Sequence, residues 1–479
     1  MEETRFDVVV VGAGTAGAAA AWQFAGRGRR VALVDNRRFA ASGARWVNAV
    51  APWMFDAAGV PRPQAPELRC ATGRAAMYDR RWRRVQTVAP SPLWSCDMRR
   101  LVARLQDMAL AAGVVAFEDA CVEDVACVAG RPVTATLRRA DGAAERLHAA
   151  LFVDAGGVGG ALKRLVPRLA AACPDVDGDD LCIAAQRVHR VRDVDAARRF
   201  LADRGADEHD VLTVAGIDGG FSTLVVGFDL AAAEVEVLVG NIGDGRRANP
   251  LQLVTALLGA EPWLGEVLFG GGGRIPLRRP YDCMTAPGIA LLGNAACQVF
   301  PAHGSGIGAG MIAARQLAET TGAYDDIGSA DALWDYQARF LRSHGAVHAA
   351  YDVFRRMTQS LSTEEAERLL GSGMLVDAGT RAALDHRMPS LSLRELAQIA
   401  AASLRHPDLA LRFAPVVARL HLVHAHYRRY PLRRDPRALR RWAAIAARLV
   451  GTRPDPVGDL AVGAELPPEP ASVRPTLPR

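Results

Sequence analysis

Near the start of the chain a run of valines passes directly into a glycine turn, and few folds accept that junction. Val8-Val9-Val10-Val11 leads into Gly12-Ala13-Gly14-Thr15-Ala16-Gly17. A strand with no polar position is one buried on both faces, as in a parallel sheet covered by helices. The spacing assigns Gly12 to the tight turn, Gly14 to close approach of the backbone to a pyrophosphate, and Gly17 to close packing of helix on strand. Residues 18–25 predict the helix that follows, with Gly28 as its stop. A second strand, residues 31–34, ends on Asp35, where a carboxylate can meet a ribose hydroxyl. Strand, turn, helix, strand and acid in that order predict a dinucleotide-binding unit, with Thr15, Ala16, Asn36 and Arg37 completing its expected contacts.

Two later stretches repeat the theme of a strand delivered into glycines. Residues 147–153 end in Asp154-Ala155-Gly156-Gly157. Residues 288–293 run on through Asn294-Ala295-Ala296 and Pro301 to Gly304-Ser305-Gly306-Ile307-Gly308. A helix starting near Gly306 presents unpaired backbone N–H groups and the positive end of its dipole, a preformed seat for negative charge.

Together the three motifs resemble the FAD-binding signature of the para-hydroxybenzoate hydroxylase-type flavoproteins. They are most similar to the branch holding the geranylgeranyl reductases and flavin halogenases. The resemblance covers residues 1 to about 325. It implies that Asp154 and Gly156 join the FAD contacts, that Gly293 and Asn294 lie beside the ribityl chain and phosphate, and that Pro301, Gly304, Gly306 and Ile307 lie beside the isoalloxazine. Asn294 stands where the family has aspartate, which keeps a hydrogen bond without charge assistance. The family's phosphate-binding arginine falls on Met98, leaving Arg45 or Arg99 for that contact.

The expected fold class is α/β: a Rossmann-like FAD-binding domain, a mostly antiparallel β substrate domain and a C-terminal helical region. The expected boundaries are 1–165 with 280–325 returning, 175–279 with part of 56–95, and 326–450. Residues 56–95 otherwise read as irregular, because Pro61, Pro63, Pro66, Pro90 and Pro92 interrupt them. From Asp97 an amphipathic helix is expected, with Leu101, Leu105, Met108 and Leu110 on its apolar side. Strands are expected at 114–117, 133–137, 147–153, 211–215, 223–228 and 235–238. The proline-rich tail, 451–479, reads as disordered.

Composition narrows the function classes. A net charge of +6 on 479 residues does not call for nucleic acid. The eight cysteines form no Cys-x-x-Cys pair and read as reduced cytoplasmic thiols. No leader precedes Phe6, and no apolar run reaches the ~18 residues of a membrane span, so the expected location is cytoplasmic. Lys163 is the only lysine. Arginines gather at 428, 429, 433, 434, 437, 440 and 441, as a solvated face or as a basic helical surface for peripheral membrane contact. No metal-ligand spacing is present, and oligomeric state is not written in the sequence.

For chemistry, His303 lies in the loop the resemblance places against the flavin, and it is the candidate proton donor or acceptor. Trp46 and Asn48 are the residues expected to line the flavin face, with Tyr281 and Cys297 as secondary candidates. The halogenase lysine and Trp-x-Trp-x-Ile-Pro segment are missing, which disfavours chlorination. The cysteine that geranylgeranyl reductases carry after the ribose acid is missing from residues 43–48. The expectation is an FAD-dependent oxidoreductase acting on a small apolar organic molecule, foremost by reducing a carbon–carbon double bond, with NAD(P)H as a transient electron donor. A flavin monooxygenase and a redox-neutral template or cyclase with structural FAD are the alternatives.

Overall fold

The computed structural model describes residues 2–457; most of the tail read as disordered, 458–479, lies outside the described residues. The valine run forms the strand Val8–Val11, buried throughout, inside a six-stranded sheet. Across that sheet run Thr285–Ala286, Ile289–Leu291, Leu151–Asp154, Val8–Val11, Val31–Val34 and Val115–Phe117. All pairings are parallel except the first. The chain therefore leaves this sheet after Asp154 and returns to it at Thr285. Helices Thr15–Ala25, Met98–Ala111 and Ile307–Thr321 pack around it. The first helix closes at Gly26, earlier than expected, and Gly28 takes the left-handed turn (φ +77°) just beyond. In the second helix Leu101 and Leu105 are buried, but Leu110 faces solvent, and Val102 and Ala109 fill the inner stripe instead.

The expected strand 147–153 is two strands. Leu147 and His148 end Ala144–His148 in a separate four-stranded sheet, and after Ala149-Ala150 the chain enters Leu151–Asp154 in the parallel sheet. The partly accessible junction His148-Ala149-Ala150 carries no glycine or proline to mark the crossing.

A seven-stranded sheet forms the second layer, in the order Leu264–Pro276, Leu181–Val191, Glu234–Ile242, Ser222–Asp229, Val211–Ala215, Ala75–Tyr78 and Arg84–Val88. Only Val211–Ala215 and Ala75–Tyr78 pair in parallel. The segment read as irregular thus contributes strands to this sheet, and its Leu68–Cys70 and Trp94–Asp97 pair in a small three-stranded sheet with Val47–Val50. Its prolines fall between strands, where no ladder hydrogen bond is lost.

The two faces of the large sheet differ. Leu212, Val214, Leu224, Val226, Val237 and Val239 are fully buried, in a core with Phe200, Val254 and Trp263. The alternate residues Thr213, Ala215, Thr223, Val225, Leu238 and Met77 point the other way and remain partly accessible. That second face is buried where Cys182, Ala184 and Gln186 lie, but across the other strands it is not sealed by a core.

Helices Ala330–Arg342, His344–Gln359, Pro407–Tyr427 and Pro436–Val450 add a helical layer. Past it, residues 453–457 are ordered against the body. The buried Asp455 accepts from Arg278 at 2.6 and 2.7 Å and from the Asp282 backbone N–H at 3.0 Å. Arg279, itself buried, is held by Asp282 and the Tyr427 hydroxyl. The proline content of the tail hid this one acidic anchor.

Candidate active site

The three glycine motifs converge. Gly12 adopts φ +105°, and a side chain there would meet the Ala155 carbonyl oxygen at 2.4 Å. At Gly17 a Cβ would lie 1.7 Å from the Gly12 carbonyl oxygen and 3.1 Å from the Ala155 Cβ, so the first helix rests directly on the first two turns. The methyl group of Ala16 reaches the third motif: it lies 3.1 Å from the Cβ positions that Gly293 and Gly310 lack. Gly14 meets the loop bearing Arg45, with Gly43 Cα at 3.4 Å from its Cβ position. Gly12, Gly14 and Ala16 stay partly accessible while Ala13, Thr15 and Gly17 are buried, so one edge of the turn lines an open groove.

Asp35 is only 6 % accessible. Its Oδ2 accepts from Ala13 N–H at 2.8 Å and its Oδ1 from Arg37 N–H at 3.0 Å, which ties the end of the second strand to the glycine turn. Asn36 and the Arg37 side chain are exposed beside it. Asp154 does not reach the groove. It is fully buried, and its oxygens accept from the backbone N–H groups of Gly156, Ala161, Leu162 and Lys163 at 2.7–3.1 Å. Its part is to fold the second turn; the expected cofactor contact is corrected to a structural one.

In the third motif Gly293 N–H donates to Gln298 Oε1 at 2.8 Å, and Asn294 is half-buried with no hydrogen bond from its amide side chain among the described residues. Pro301 is buried; Gly304, Gly306 and Ile307 are partly accessible, and the helix Ile307–Thr321 begins at Gly306 with no side chain capping its first turn. Ser305 Oγ donates to the Ala49 carbonyl at 3.4 Å, which joins this loop to the strand Val47–Val50. Arg45 is exposed and donates to the Ala40 carbonyl, free to swing toward a phosphate. Arg99 is not: it grips Asp97 at 2.6 and 3.0 Å and stacks 3.3 Å over Phe269.

Trp46 lies against the second layer. Cβ positions at Gly271 and Gly273 would sit 3.3 and 3.0 Å from its ring, and its buried indole N–H has no partner among the described residues. Gln186 clamps the same strand, exchanging hydrogen bonds with Val47 N–H at 2.6 Å and Val47 carbonyl at 2.8 Å. Asn48 is partly accessible, its Oδ1 accepting from Ala49 N–H. Tyr281 and Cys297 do not line this space. Tyr281 is 1 % accessible and donates to the Pro174 carbonyl at 2.5 Å, while Cys297 is fully buried, its thiol pushed up to about 11 by burial.

His303 brings partners that no local motif announces. Its Nε2 is 3.1 Å from Nε2 of His386, a residue held at φ +52° just past the helix Asp377–Leu384. The His386 ring stacks on Phe300 at 4.2 Å and 13°. Tyr351 and His348 close the other sides of Phe300 at 4.7 and 5.8 Å. Two facing ring nitrogens at this distance share a single proton, one donating and one accepting. Burial lowers His303 to about 4 and His348 to about 3, and drives His386 well below the usual histidine range, so the cluster is neutral at pH 7. His303 nevertheless keeps more than a third of its surface accessible, so it faces a recess and not packed protein.

Elsewhere on the accessible face of the large sheet, Glu236 lies in a small cavity with Arg69, Asp210 and Asp229. Burial raises it to about 7, with Arg69 opposing. Apart from its place in an alternating strand, nothing in the sequence marked it.

The groove fits FAD. It is bordered by backbone at Gly12 and Gly17 that no side chain could replace, and the Asn294 amide beside it has no partner among the described residues. Residues 7–165 match the family described as FAD dependent oxidoreductase. Over 465 residues, covering 92 % of this chain and 96 % of the relative, the sequence is 25 % identical to digeranylgeranylglycerophospholipid reductase of Sulfolobus acidocaldarius. The fold is similar to a geranylgeranyl bacteriochlorophyll reductase-like protein of Thermoplasma acidophilum, at TM-score 0.67 and 16 % identity over 86 % of this chain and all of that one. It is also similar to a probable FAD-dependent monooxygenase of Pseudomonas aeruginosa, at TM-score 0.53 and 18 % identity over 76 % of this chain and 99 % of that one. The converging glycine turns and these matches agree: the chain is an FAD-dependent oxidoreductase, similar along most of its length to a digeranylgeranylglycerophospholipid reductase.

Proposed function

We propose that the chain reduces a carbon–carbon double bond in a largely apolar organic substrate held against the seven-stranded sheet. The observation that carries this reading is the second face of that sheet. Thr213, Thr223, Val225, Leu238 and Met77 would be a core face in an ordinary two-layer domain, but they are partly accessible, on the sheet whose edge strand meets Trp46 at Gly271 and Gly273. An accessible apolar wall beside a redox cofactor binds an apolar chain and excludes water from it.

Gly12, Gly14 and Ala16, with Asp35 fixing the turn, would hold the pyrophosphate and ribose end of FAD; Asn294, Gly304 and Gly306 would hold the flavin end. Bound FAD, once reduced by a transient donor such as NAD(P)H, supplies the hydride. The protein's own contribution is placement and the proton. Trp46 and Gln186 set the distance between cradle and wall. A neutral His303 cannot act as a cation, but it can donate from one ring nitrogen while accepting at the other from His386, passing a proton inward without placing a charge in the recess.

An anaerobic assay tests the reading. The purified protein, its flavin reduced with NAD(P)H or dithionite, is mixed with a polyprenyl substrate and the product is weighed by mass spectrometry. Addition of two hydrogens without oxygen is expected. A product that forms only in air and gains an oxygen atom assigns the protein to the monooxygenases. A rearranged product of unchanged mass, formed without flavin turnover, assigns it to redox-neutral templates.

A further inference from the structure

A helical hairpin on the far side of the recess is built inside out. The helix Leu393–Arg405 has one buried residue, Ala402, and the stripe opposite it is apolar: Leu393 and Leu404 are each 85 % exposed and Leu396 48 %. Those positions, with Ala397 and Ala400 between them, follow three- and four-residue steps along a single face. The next helix, Pro407–Tyr427, buries Leu409, Val416, Leu420 and Val423 and turns Leu411 (79 %), Val417 (38 %) and Leu422 (55 %) outward. Among the described residues, six of the thirteen exposed large hydrophobic side chains lie within this hairpin. Soluble amphipathic helices show the reverse pattern, and an exposed apolar stripe of this length marks a surface that is covered in use.

The charges around the stripe say by what. Between 393 and 429 the chain carries Arg394, Arg405, Arg412, Arg419, Arg428 and Arg429 against only Glu395 and Asp408. Both acids are committed: Glu395 caps its own helix, accepting from Ser392 N–H, and Asp408 pairs with Arg368. Arg394, Arg428 and Arg429 are exposed and form no ion pair among the described residues. Leucines flanked by uncompensated arginines match the headgroup region of an anionic bilayer, apolar tips entering the acyl boundary and guanidinium groups on phosphates. A second copy of this chain would bring the same positive charge to meet itself, which disfavours a symmetric dimer across this face. No helix among the described residues is long and apolar enough to cross a membrane.

We propose that the hairpin 393–427 docks the protein on the surface of an anionic phospholipid bilayer. Glu395 Oε1 also accepts from Ala378 N–H at 3.2 Å, in the first turn of the helix Asp377–Leu384 that carries His386 toward His303. Docking therefore lays the cover of the recess beside the bilayer, where an apolar substrate dissolves.

Vesicle flotation of the FAD-loaded protein tests this without reference to turnover, so its failure leaves the proposed reaction untouched. Recovery with vesicles of phosphatidylcholine mixed with phosphatidylglycerol is expected, with little recovery on phosphatidylcholine alone and loss at high salt. Leu393→Asp with Leu404→Asp should weaken recovery at least about tenfold. Flavin absorbance and melting temperature should not change, because both side chains lie outside the body. Arg394→Glu with Arg405→Glu should remove the preference for anionic vesicles. The proposal is overturned if the wild type stays unbound at low salt. It is equally overturned if the protein sediments as a dimer that Leu404→Asp dissociates, because the face is then covered by a second copy.

Discussion

Replacing Gly17 by alanine puts the cradle to its sharpest test, because the clash is with backbone on a fixed strand. The added Cβ would sit 1.7 Å from the Gly12 carbonyl oxygen, where ordinary contact begins near 3.4 Å. Neither atom is at the end of a flexible side chain, and the Ala155 Cβ at 3.1 Å blocks sideways escape. The N-terminus of the helix Thr15–Ala25 must then retreat by roughly the difference, over 1.5 Å, at an overpacking cost of about 1–3 kcal/mol or more. That retreat moves the backbone N–H groups at the turn out of hydrogen-bond range of a pyrophosphate. Each such charge-assisted bond contributes about 1.5–3 kcal/mol, so losing one or two weakens FAD binding by about a hundredfold or more. Fluorescence titration of the apoprotein with FAD measures this directly, and circular dichroism separates loss of cofactor from loss of fold. A Gly17→Ala protein with unchanged FAD affinity would refute the close-packing argument and, with it, the assignment of this turn to a pyrophosphate.

Other expectations follow from particular contacts. His303→Ala should keep the flavin and slow turnover by about 10²-fold, while His386→Asn, which tolerates the left-handed backbone there, should slow it similarly and alter the pH profile of kcat; full activity in the His303 variant would remove it from the mechanism. Asp455→Ala removes a buried carboxylate from the partly buried Arg278 and the buried Arg279 and should cost about 3–5 kcal/mol, read as a lowered urea midpoint; an unchanged midpoint would mean that residues 453–457 do not anchor the body. Acid should destabilise the protein early. His348 and His386 are buried and held below the unfolded-state value of about 6.5. The unfolded chain therefore binds more protons between about pH 6.5 and 4, and stability falls as pH drops through that window, by up to about 1.4 kcal/mol per unit for each buried ring. Urea midpoints at pH 7 and pH 5 check the sign, and His348→Leu should flatten the dependence.

What could be read from the sequence was local and periodic. The valine strand, its glycine turn and Val31–Val34 are legible because one short segment carries pattern, turn and acid together. Alternation located Val211–Ala215 and the strands after it, but not which face would be left open, since that depends on what packs above. Asp154 looked like a ligand because the motif shows a carboxylate in a turn, and only three dimensions show four backbone donors already upon it. His386 and His348 could not be found beside His303 and its neighbour Phe300, because they meet them across long separations and share no spacing with them. Asp455 was invisible among prolines for the same reason: its meaning comes from Arg278 and Arg279, far away in the chain.

The most direct measurement is a stoichiometric titration of the apoprotein with FAD, followed by absorbance near the flavin band and by quenching of tryptophan emission, since Trp46 borders the groove. One FAD per chain, bound tightly and lost in Gly14→Val, is the expected result. A protein that stays colourless and unquenched at saturating FAD while correctly folded would contradict the claim that these three turns form one cofactor site.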